Sequence, residues 1–148
     1  MPFALEQLTQ ALSIQAVCGP QALSAATINS GNGVDISRFR RLLAIILVGA
    51  GGGSVKAQFY AATTSGGAFT ALGAAINNIT TASKQASIEV RDDELQSLIA
   101  QGYRWVQLQV TENGVASTQV AAVVLGGEGD WKPASLQDPA SVVQRLVL

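Results

Sequence analysis

The chain has 148 residues, of which 48% are hydrophobic and only 13% are charged, with a formal net charge of −1 and no histidine. A chain of this length can bury a substantial core. Its charged fraction is about half that of an average soluble domain, so we expect part of its surface to be buried against copies of itself or a partner. The charge balance disfavours a general nucleic-acid binder, and the missing histidines remove the usual general base and zinc ligand.

The N-terminal sequence MPFALEQLTQ has neither the basic start nor the apolar stretch of a secretory signal. The longest apolar run, residues 42–50, is far shorter than the roughly 20 residues that span a bilayer. Cys18 is the single cysteine, which excludes an intramolecular disulfide, and it has no basic neighbour, so we expect a packed thiol. We therefore expect a protein made in a reducing cytoplasm, with no membrane contact, no cofactor and no metal.

Polar and apolar residues alternate along much of the chain, which predicts strands. Two weak strands come first, separated at Gly19-Pro20, and residues 36–48 form a strand that runs from a sheet edge into the core and is apolar on both faces. Later strands cover residues 54–61, 85–91, 103–111 and 117–127. In residues 85–91 the pattern places Ala86, Ile88 and Val90 inside. In the strands before and after it, one face carries Val55, Ala57, Phe59 and Ala61, and one face carries Arg104, Val106, Leu108 and Val110. Asn113-Gly114 predicts a tight hairpin between the last two strands.

The segment RDDELQSLIAQG, residues 91–102, predicts one helix. Leu95, Leu98 and Ile99 have the spacing of a buried helical stripe, and Gly102 marks the end. Asp93 and Gln96 have the spacing of a capping box. We interpret residues 92–94, which are all acidic, as the first turn of this helix, where they offset its dipole, rather than as a metal site.

These elements together predict a mainly β protein, an antiparallel β-sandwich of jelly-roll type with one short helix and an extended C-terminal arm. We assign residues 1–127 to the sandwich and residues 128–148 to the arm, which is not a separate domain. Pro133 and Pro139 exclude a continuous helix or central strand in the arm. Its apolar residues predict docking, either on its own domain or on a neighbour, and the candidate contacts are Trp131, Val142, Val143, Leu146 and Leu148.

The run Gly49-Ala50-Gly51-Gly52-Gly53-Ser54 is typical of nucleotide-binding loops. However, it lacks the Gly-Lys-Ser/Thr order of a P-loop and the third glycine of a dinucleotide fingerprint, and a strand pattern rather than a helix follows it. We interpret the run as a flexible β-turn. No nucleophile has a plausible base nearby, so the sequence predicts a protein that is not an enzyme.

Arg38, Arg40 and Arg41 form the only basic cluster in the sequence. On a strand, Arg38 and Arg40 share one face, where they are candidates for contact with an acidic partner surface. A solvated strand face is the alternative interpretation.

Several segments resemble the decoration, or cement, proteins of tailed-phage heads: GVDISRFRRLLAIILVG, AQFY, ELQ with GYRWVQLQVT, and GDWKP, together covering about residues 13–148. The resemblance implies a β-rich, often trimeric virion protein that clamps the exterior of the capsid, binds the major capsid protein through arms and carries no catalytic residues. A phage tail, baseplate or fibre subunit is the first alternative. The second is a carbohydrate-binding sandwich that uses Tyr103, Trp105 or Trp131 for stacking.

The interpretation of the glycine run predicts that titration with ATP, GTP or NAD produces no heat of binding, because the loop lacks the residues that hold phosphate. Isothermal calorimetry on the purified chain is the measurement. Micromolar binding that is abolished by Gly52→Val would contradict the interpretation.

Overall fold

The computed structural model describes residues 8–80, 84–114, 116–129 and 142. Two helices lie in this part of the chain, α1 (Leu8–Ala11) and α2 (Asp92–Ala100). A 3-10 turn covers Ile36–Arg38. The strands are β1 (Leu12–Leu23), β2 (Thr27–Asn29), β3 (Val34–Asp35), β4 (Arg41–Val48), β5 (Val55–Ala62), β6 (Thr70–Ala71), β7 (Ile76–Ile79), β8 (Lys84–Val90), β9 (Trp105–Glu112) and β10 (Thr118–Gly127).

The strands form two antiparallel sheets. Sheet A has the order β1-β10-β4-β8, and sheet B has the order β2-β9-β5-β6, with β3 also on β9 and β7 also on β5. The chain changes sheet at most of its connections, and strands from its two ends alternate within each sheet, which is the topology of a jelly roll. The prediction of an antiparallel β-sandwich with one short helix after β8 is confirmed. The last strand among the described residues ends at Gly127, and the division into a sandwich and an arm stays a prediction.

The connection from β9 to β10 is a crossover between sheets and not a hairpin. The two strands lie in different sheets, so the hairpin predicted at Asn113-Gly114 is wrong. The buried Glu112 holds this crossover, because its carboxylate accepts the N–H groups of Ala25 at 2.7 Å and Gly114 at 2.8 Å. The local turn chemistry therefore bends the chain, while contacts distant in sequence decide where the next strand goes.

The first strand is one element rather than two. β1 runs through Gly19-Pro20 with a register shift between Cys18 and Gln21. It lies at an edge of sheet A, where a proline with no N–H is tolerated. Cys18 is 2% exposed, and burial raises the pKa of its thiol to about 11. The predicted packed thiol is confirmed.

The strand predicted for residues 36–48 begins only at Arg41 and is central in its sheet, between β10 and β8. Asp35 causes the late start, since its carboxylate accepts the N–H of Ser37 at 3.1 Å and holds residues 36–38 in the 3-10 turn. Arg38 is therefore in a turn and Arg40 at a bend, so the prediction that they share a strand face is wrong.

The core lies between the two sheets, as the period-two patterns predict. The apolar residues of the predicted faces in β5 and β9 are buried, and of the predicted inward residues in β8, Val90 is buried while Ala86 and Ile88 are half-buried. Phe39 packs so closely on β10 that a Cβ on Gly126 would lie 2.5 Å from its ring.

Helix α2 buries Leu95 and Leu98, whereas Ile99 is 37% exposed. Its cap differs from the prediction: the N-cap residue is Arg91, two residues before Asp93, and its N–H donates to the Glu94 carboxylate at 3.4 Å. Residues 92–94 form the acidic first turn as predicted. Gly102, with φ of +89°, follows the last turn and provides the left-handed residue that ends many helices.

The glycine run carries the chain from β4 in sheet A to β5 in sheet B, and the predicted strand after it is confirmed. It is packed rather than loose. The N–H of Gly53 donates to the Thr118 hydroxyl at 2.9 Å, and a Cβ on Gly53 would overlap the Glu112 carboxylate. Gly51 has φ of +150°, and a Cβ there would lie 2.5 Å from the Cα of Thr118. Close packing against the β9–β10 crossover therefore requires these two glycines.

We expect Gly53→Ala to lower the free energy of unfolding by about 1–3 kcal/mol, because the added methyl overlaps the buried Glu112 carboxylate. Gly52→Ala is the matched control. Gly52 is exposed, and the nearest atom to its added Cβ is the Cβ of Ala116 at 3.6 Å, so a change within about 0.5 kcal/mol is expected. Urea denaturation measures both variants, and equal effects would show that the run is not tightly packed.

Candidate partner-binding surface

The outer face of sheet A is apolar across three strands. In a sandwich, the inner face of a sheet packs on the core and the outer face is usually polar. Here the outward residues of β1, β10 and β4 are almost all aliphatic. We call this surface the apolar face, and it consists of Leu12, Ile14, Val17, Leu43, Ile45, Leu47, Ala121, Val123 and Leu125.

The strand register arranges the apolar face in rows. One row joins Ile14, Leu125 and Leu43, and the next joins Val17, Val123 and Ile45. A third pairs Ala121 with Leu47. From the standard spacings between strands and along them, the rows cover roughly 300 Å², the size of patch that is often functional on a monomer. Val17 is 51% exposed and Leu47 50% exposed, and the remaining members are half-buried.

Polar residues border the apolar face along strand β8. Gln85, Ser87 and Glu89 pair with Leu47, Ile45 and Leu43 respectively. An apolar centre with a polar rim is the usual anatomy of a protein–protein interface. The face therefore has both the composition and the border of a docking surface.

One end of the apolar face is marked by charges. Arg41 is paired with Gly127 in the β4–β10 register, and its guanidinium lies 3.7 Å from Glu89 and 3.5 Å from Glu128. Glu128 follows the last strand, has φ of +51°, and donates its N–H to the Ala11 carbonyl at 3.2 Å. The end of β10 and the residue that follows it thus lie at the rim of the apolar face.

The structure separates the three arginines of the basic cluster. Arg41 borders the apolar face, and Arg40 is exposed beside it, with its N–H donated to the Gly127 carbonyl at 3.2 Å. Arg38 instead lies 3.7 Å from Asp35, at the end of sheet B where β3 pairs with β9. Of the two predicted contacts, only Arg40 is near the apolar face, and whether either binds a partner stays a prediction.

Asp35 is bound by a residue that the sequence did not single out. Arg104 donates to its carboxylate through Nη2 at 2.9 Å and Nε at 3.2 Å, and Ser37 donates through its hydroxyl at 2.6 Å. Burial of Asp35 works to raise the pKa of the carboxyl, but the hydrogen bonds from Arg104 and Ser37 outweigh it and hold that pKa below its ordinary value. The side chain of Arg104 is 60% exposed, whereas the Asp35 carboxylate that it binds is buried.

The predicted contacts in the C-terminal arm lie outside the described residues, apart from Val142, which is half-buried. These are Trp131, Val143, Leu146 and Leu148, and their role stays a prediction. Of the aromatic residues considered for sugar stacking, Trp105 is half-buried in β9 and Tyr103 packs against the core.

A cleft of about 540 Å³ lies beside α2. Phe59, Leu72, Ile88 and Leu98 contribute its apolar lining, and three carboxylates line it as well, those of Glu89, Asp93 and Glu94. Each carboxylate already has a partner, respectively Arg41, the Arg91 guanidinium and the Arg91 N–H. In the described part of the chain, no three His, Cys, Asp or Glu residues are grouped to hold a metal ion, and no helix is long and apolar enough to cross a bilayer.

No protein-family model matches the chain, and comparison with curated proteins gives no match. Among solved structures, it is similar to the disulfide-linked pili of Bacillus endospore appendages (18% identity, 79% of this chain and 88% of that chain, TM-score 0.43). It is also similar to the Yersinia pseudotuberculosis-derived mitogen (9%, 80% and 92%, TM-score 0.47). A third similarity is to infectious bursal disease virus, Gt strain (15%, 84% and 33%, TM-score 0.45). Similarities this distant do not identify a function.

The lowered pKa of Asp35 predicts a pH-dependent contribution to stability. A carboxyl with a lowered folded-state pKa stabilises the fold above its unfolded pKa of about 3.9, and this contribution is lost as the pH falls through the folded-state value. We expect Asp35→Asn to melt at a lower temperature than the wild type at pH 7, with the difference shrinking once the pH falls below the unfolded pKa of about 3.9.

The measurement is thermal denaturation followed by circular dichroism between pH 2 and 7. Glu89→Gln is the control, because Glu89 forms an exposed ion pair of the kind that contributes little. A melting difference for Asp35→Asn that is the same at every pH would contradict the assignment of Asp35 as a charged partner of Arg104.

Proposed function

We propose that the chain is a non-enzymatic structural subunit that associates with copies of itself and coats the exterior of a viral capsid as a decoration protein. The observation that carries the proposal is the apolar face. In an isolated subunit it leaves a contiguous apolar surface in water, which is unfavourable by about 25 cal/mol for each Å². Covering such a surface is what drives most protein association.

Self-association accounts for both the composition and the placement of charge. The low charged fraction leaves little electrostatic repulsion between copies. At the border of the apolar face, Arg41 is already paired with Glu89 and Glu128. A face used by small polar ligands would instead present unpaired donors and acceptors among its apolar residues. The surface therefore favours another protein over a small molecule.

The role on a capsid rests on the resemblance to phage decoration proteins and on the jelly-roll topology. Jelly rolls recur in viral capsid and lectin domains, which is an analogy of fold and not of site. Under this proposal, the partners are other copies, in a trimer, and the major capsid protein. The place of action is the exterior of the virion.

The absence of catalysis is part of the proposal. The two buried carboxylates, Asp35 and Glu112, are engaged by Arg104 and Ser37 and by backbone N–H groups respectively. The buried Cys18 has a raised pKa, which makes it a poor nucleophile at neutral pH. These groups stabilise the fold instead of forming a reactive site.

The proposal predicts that the purified chain sediments as an oligomer, with a trimer expected. It also predicts that Ile45→Lys weakens self-association by at least about 100-fold, because a charge replaces an apolar side chain in the middle row of the face. Ser87→Lys is the matched control, since Ser87 pairs with Ile45 in the same row but lies on the polar rim. Analytical ultracentrifugation across micromolar concentrations is the measurement. A wild-type monomer of 15.3 kDa at every concentration would contradict self-association.

Copy number in purified virions tests the capsid role separately. Quantitative mass spectrometry is expected to find the chain in numbers comparable to those of the major capsid protein. A few copies per particle would instead indicate a tail, baseplate or fibre subunit.

A further inference from the structure

We propose that the apolar face of one copy is covered by residues 130–148 of the C-terminal arm of a neighbouring copy. This inference rests on the self-association in the proposed function and identifies the segment that mediates it. The binding surface is an uncharged, aliphatic sheet face, and the segment that binds it is an apolar peptide.

The size of the apolar face argues against two copies packing face to face with nothing added. The face covers roughly 300 Å², whereas a stable interface buries about 800 Å² on each partner. A peptide that lies across the face buries more area than the face alone, because it also covers the polar rim on β8 and buries its own side chains. An arm therefore supplies the area that a flat pairing of two faces lacks.

The composition of the arm suits this surface. Residues 130–148 contain two acidic and two basic side chains, which leave no net charge, and their apolar residues are Trp131, Leu136, Val142, Val143, Leu146, Val147 and Leu148. Pro133 and Pro139 lack the N–H that pairing along a strand edge requires. The arm is thus better suited to docking through side chains on a sheet face than to extending a sheet at its edge.

The point at which the chain leaves the sandwich favours a neighbouring copy over the same one. β10 runs from Thr118 to Gly127, past the rows of the apolar face, and ends in line with Arg41. The interactions of Glu128 with Arg41 and with the Ala11 carbonyl fix the start of the arm at this end. To cover the apolar face of its own copy, the arm would have to turn back and run opposite to β10. To cover the face of a neighbouring copy, the arm can continue in the direction of β10.

The length of the arm allows the exchange. Nineteen extended residues, counted from 130 to 148, reach about 60 Å. The ten residues of β10 span about 34 Å. The arm is therefore long enough to leave its own sandwich and cross the apolar face of an adjacent one.

Mixing two full-length variants tests the exchange. The face variant is Ile45→Lys, and the arm variant combines Val143→Lys with Leu146→Lys. Each is expected to self-associate at least about 100-fold more weakly than the wild type, because every face–arm contact in its homo-oligomer contains a lysine. An equimolar mixture is expected to form hetero-oligomers, since an intact arm from one variant meets an intact face from the other. Sedimentation with one variant fluorescently labelled detects them.

Matched controls distinguish a loss of docking from a loss of folding and from a general effect of the added charge. Ser87→Lys and Gln144→Lys place the same charge beside the two contacts and are expected to associate like the wild type. Leu47→Lys is a second face variant at a position that is already 50% exposed, so it keeps the test valid if Ile45→Lys does not fold. Circular dichroism verifies that each variant has the wild-type strand signal.

The outcomes separate the arm proposal from the proposed function. An arm variant that associates like the wild type, while the face variants do not, would show face-to-face packing and overturn the arm exchange alone. A mixture that stays monomeric when both variants are folded would show an arm that does not exchange, and would also overturn it. A wild type that is monomeric at all concentrations would overturn self-association itself.

Discussion

Strand β10 pairs with β1 along one side and with β4 along the other. Most other features of the molecule depend on this insertion of β10 between two strands from the first third of the chain. It makes β4 a central strand, with one apolar side in the core and the other on the outer surface. It also aligns the outward aliphatic residues of β1, β10 and β4 in common rows. β10, the last strand among the described residues, ends beside the surface that these rows create.

The insertion requires crossovers that hold the two sheets together. Three loops meet at one end of the sandwich, and Glu112 joins them: its carboxylate accepts N–H groups from Ala25 and Gly114, and it lies against Gly53. A buried polar group without partners would be costly, and here each carboxylate oxygen has a backbone donor. The glycine run that looks like a phosphate-binding loop is therefore part of a structural contact, in which small residues allow close approach.

The charged residues occupy different kinds of position at the end of sheet B and around the apolar face of sheet A. Asp35 and Arg104 form a close pair at the end of sheet B, where they fasten the 3-10 turn before β4. Around the apolar face, the charges lie only at the border, and the interior of the face is aliphatic. Such a surface gains free energy when another apolar segment covers it, which is consistent with a subunit whose work is assembly.

The sequence by itself determined the class of fold, the positions of most strands and helix α2, and the residues of β5 and β9 that face the core. These follow from periodicity, which local side-chain geometry sets. It also indicated a surplus of apolar surface and a strand, residues 41–48, that is apolar on both faces. It missed the beginning of that strand, because the side chain of Asp35 turns residues 36–38 before pairing starts.

Only the tertiary structure decided which strands are neighbours. A two-residue turn such as Asn113-Gly114 is compatible with a hairpin and with a crossover. The choice depends on the pairing of β10 with β1, whose partner residues lie 95 to 115 positions earlier in the chain, and with β4, whose partner residues lie 72 to 86 positions earlier. The apolar face has the same origin: Ile14, Leu125 and Leu43 are far apart in the chain, and only the register of sheet A places them in one row. Sequence patterns report the environment of each residue, whereas a shared surface depends on long-range pairing.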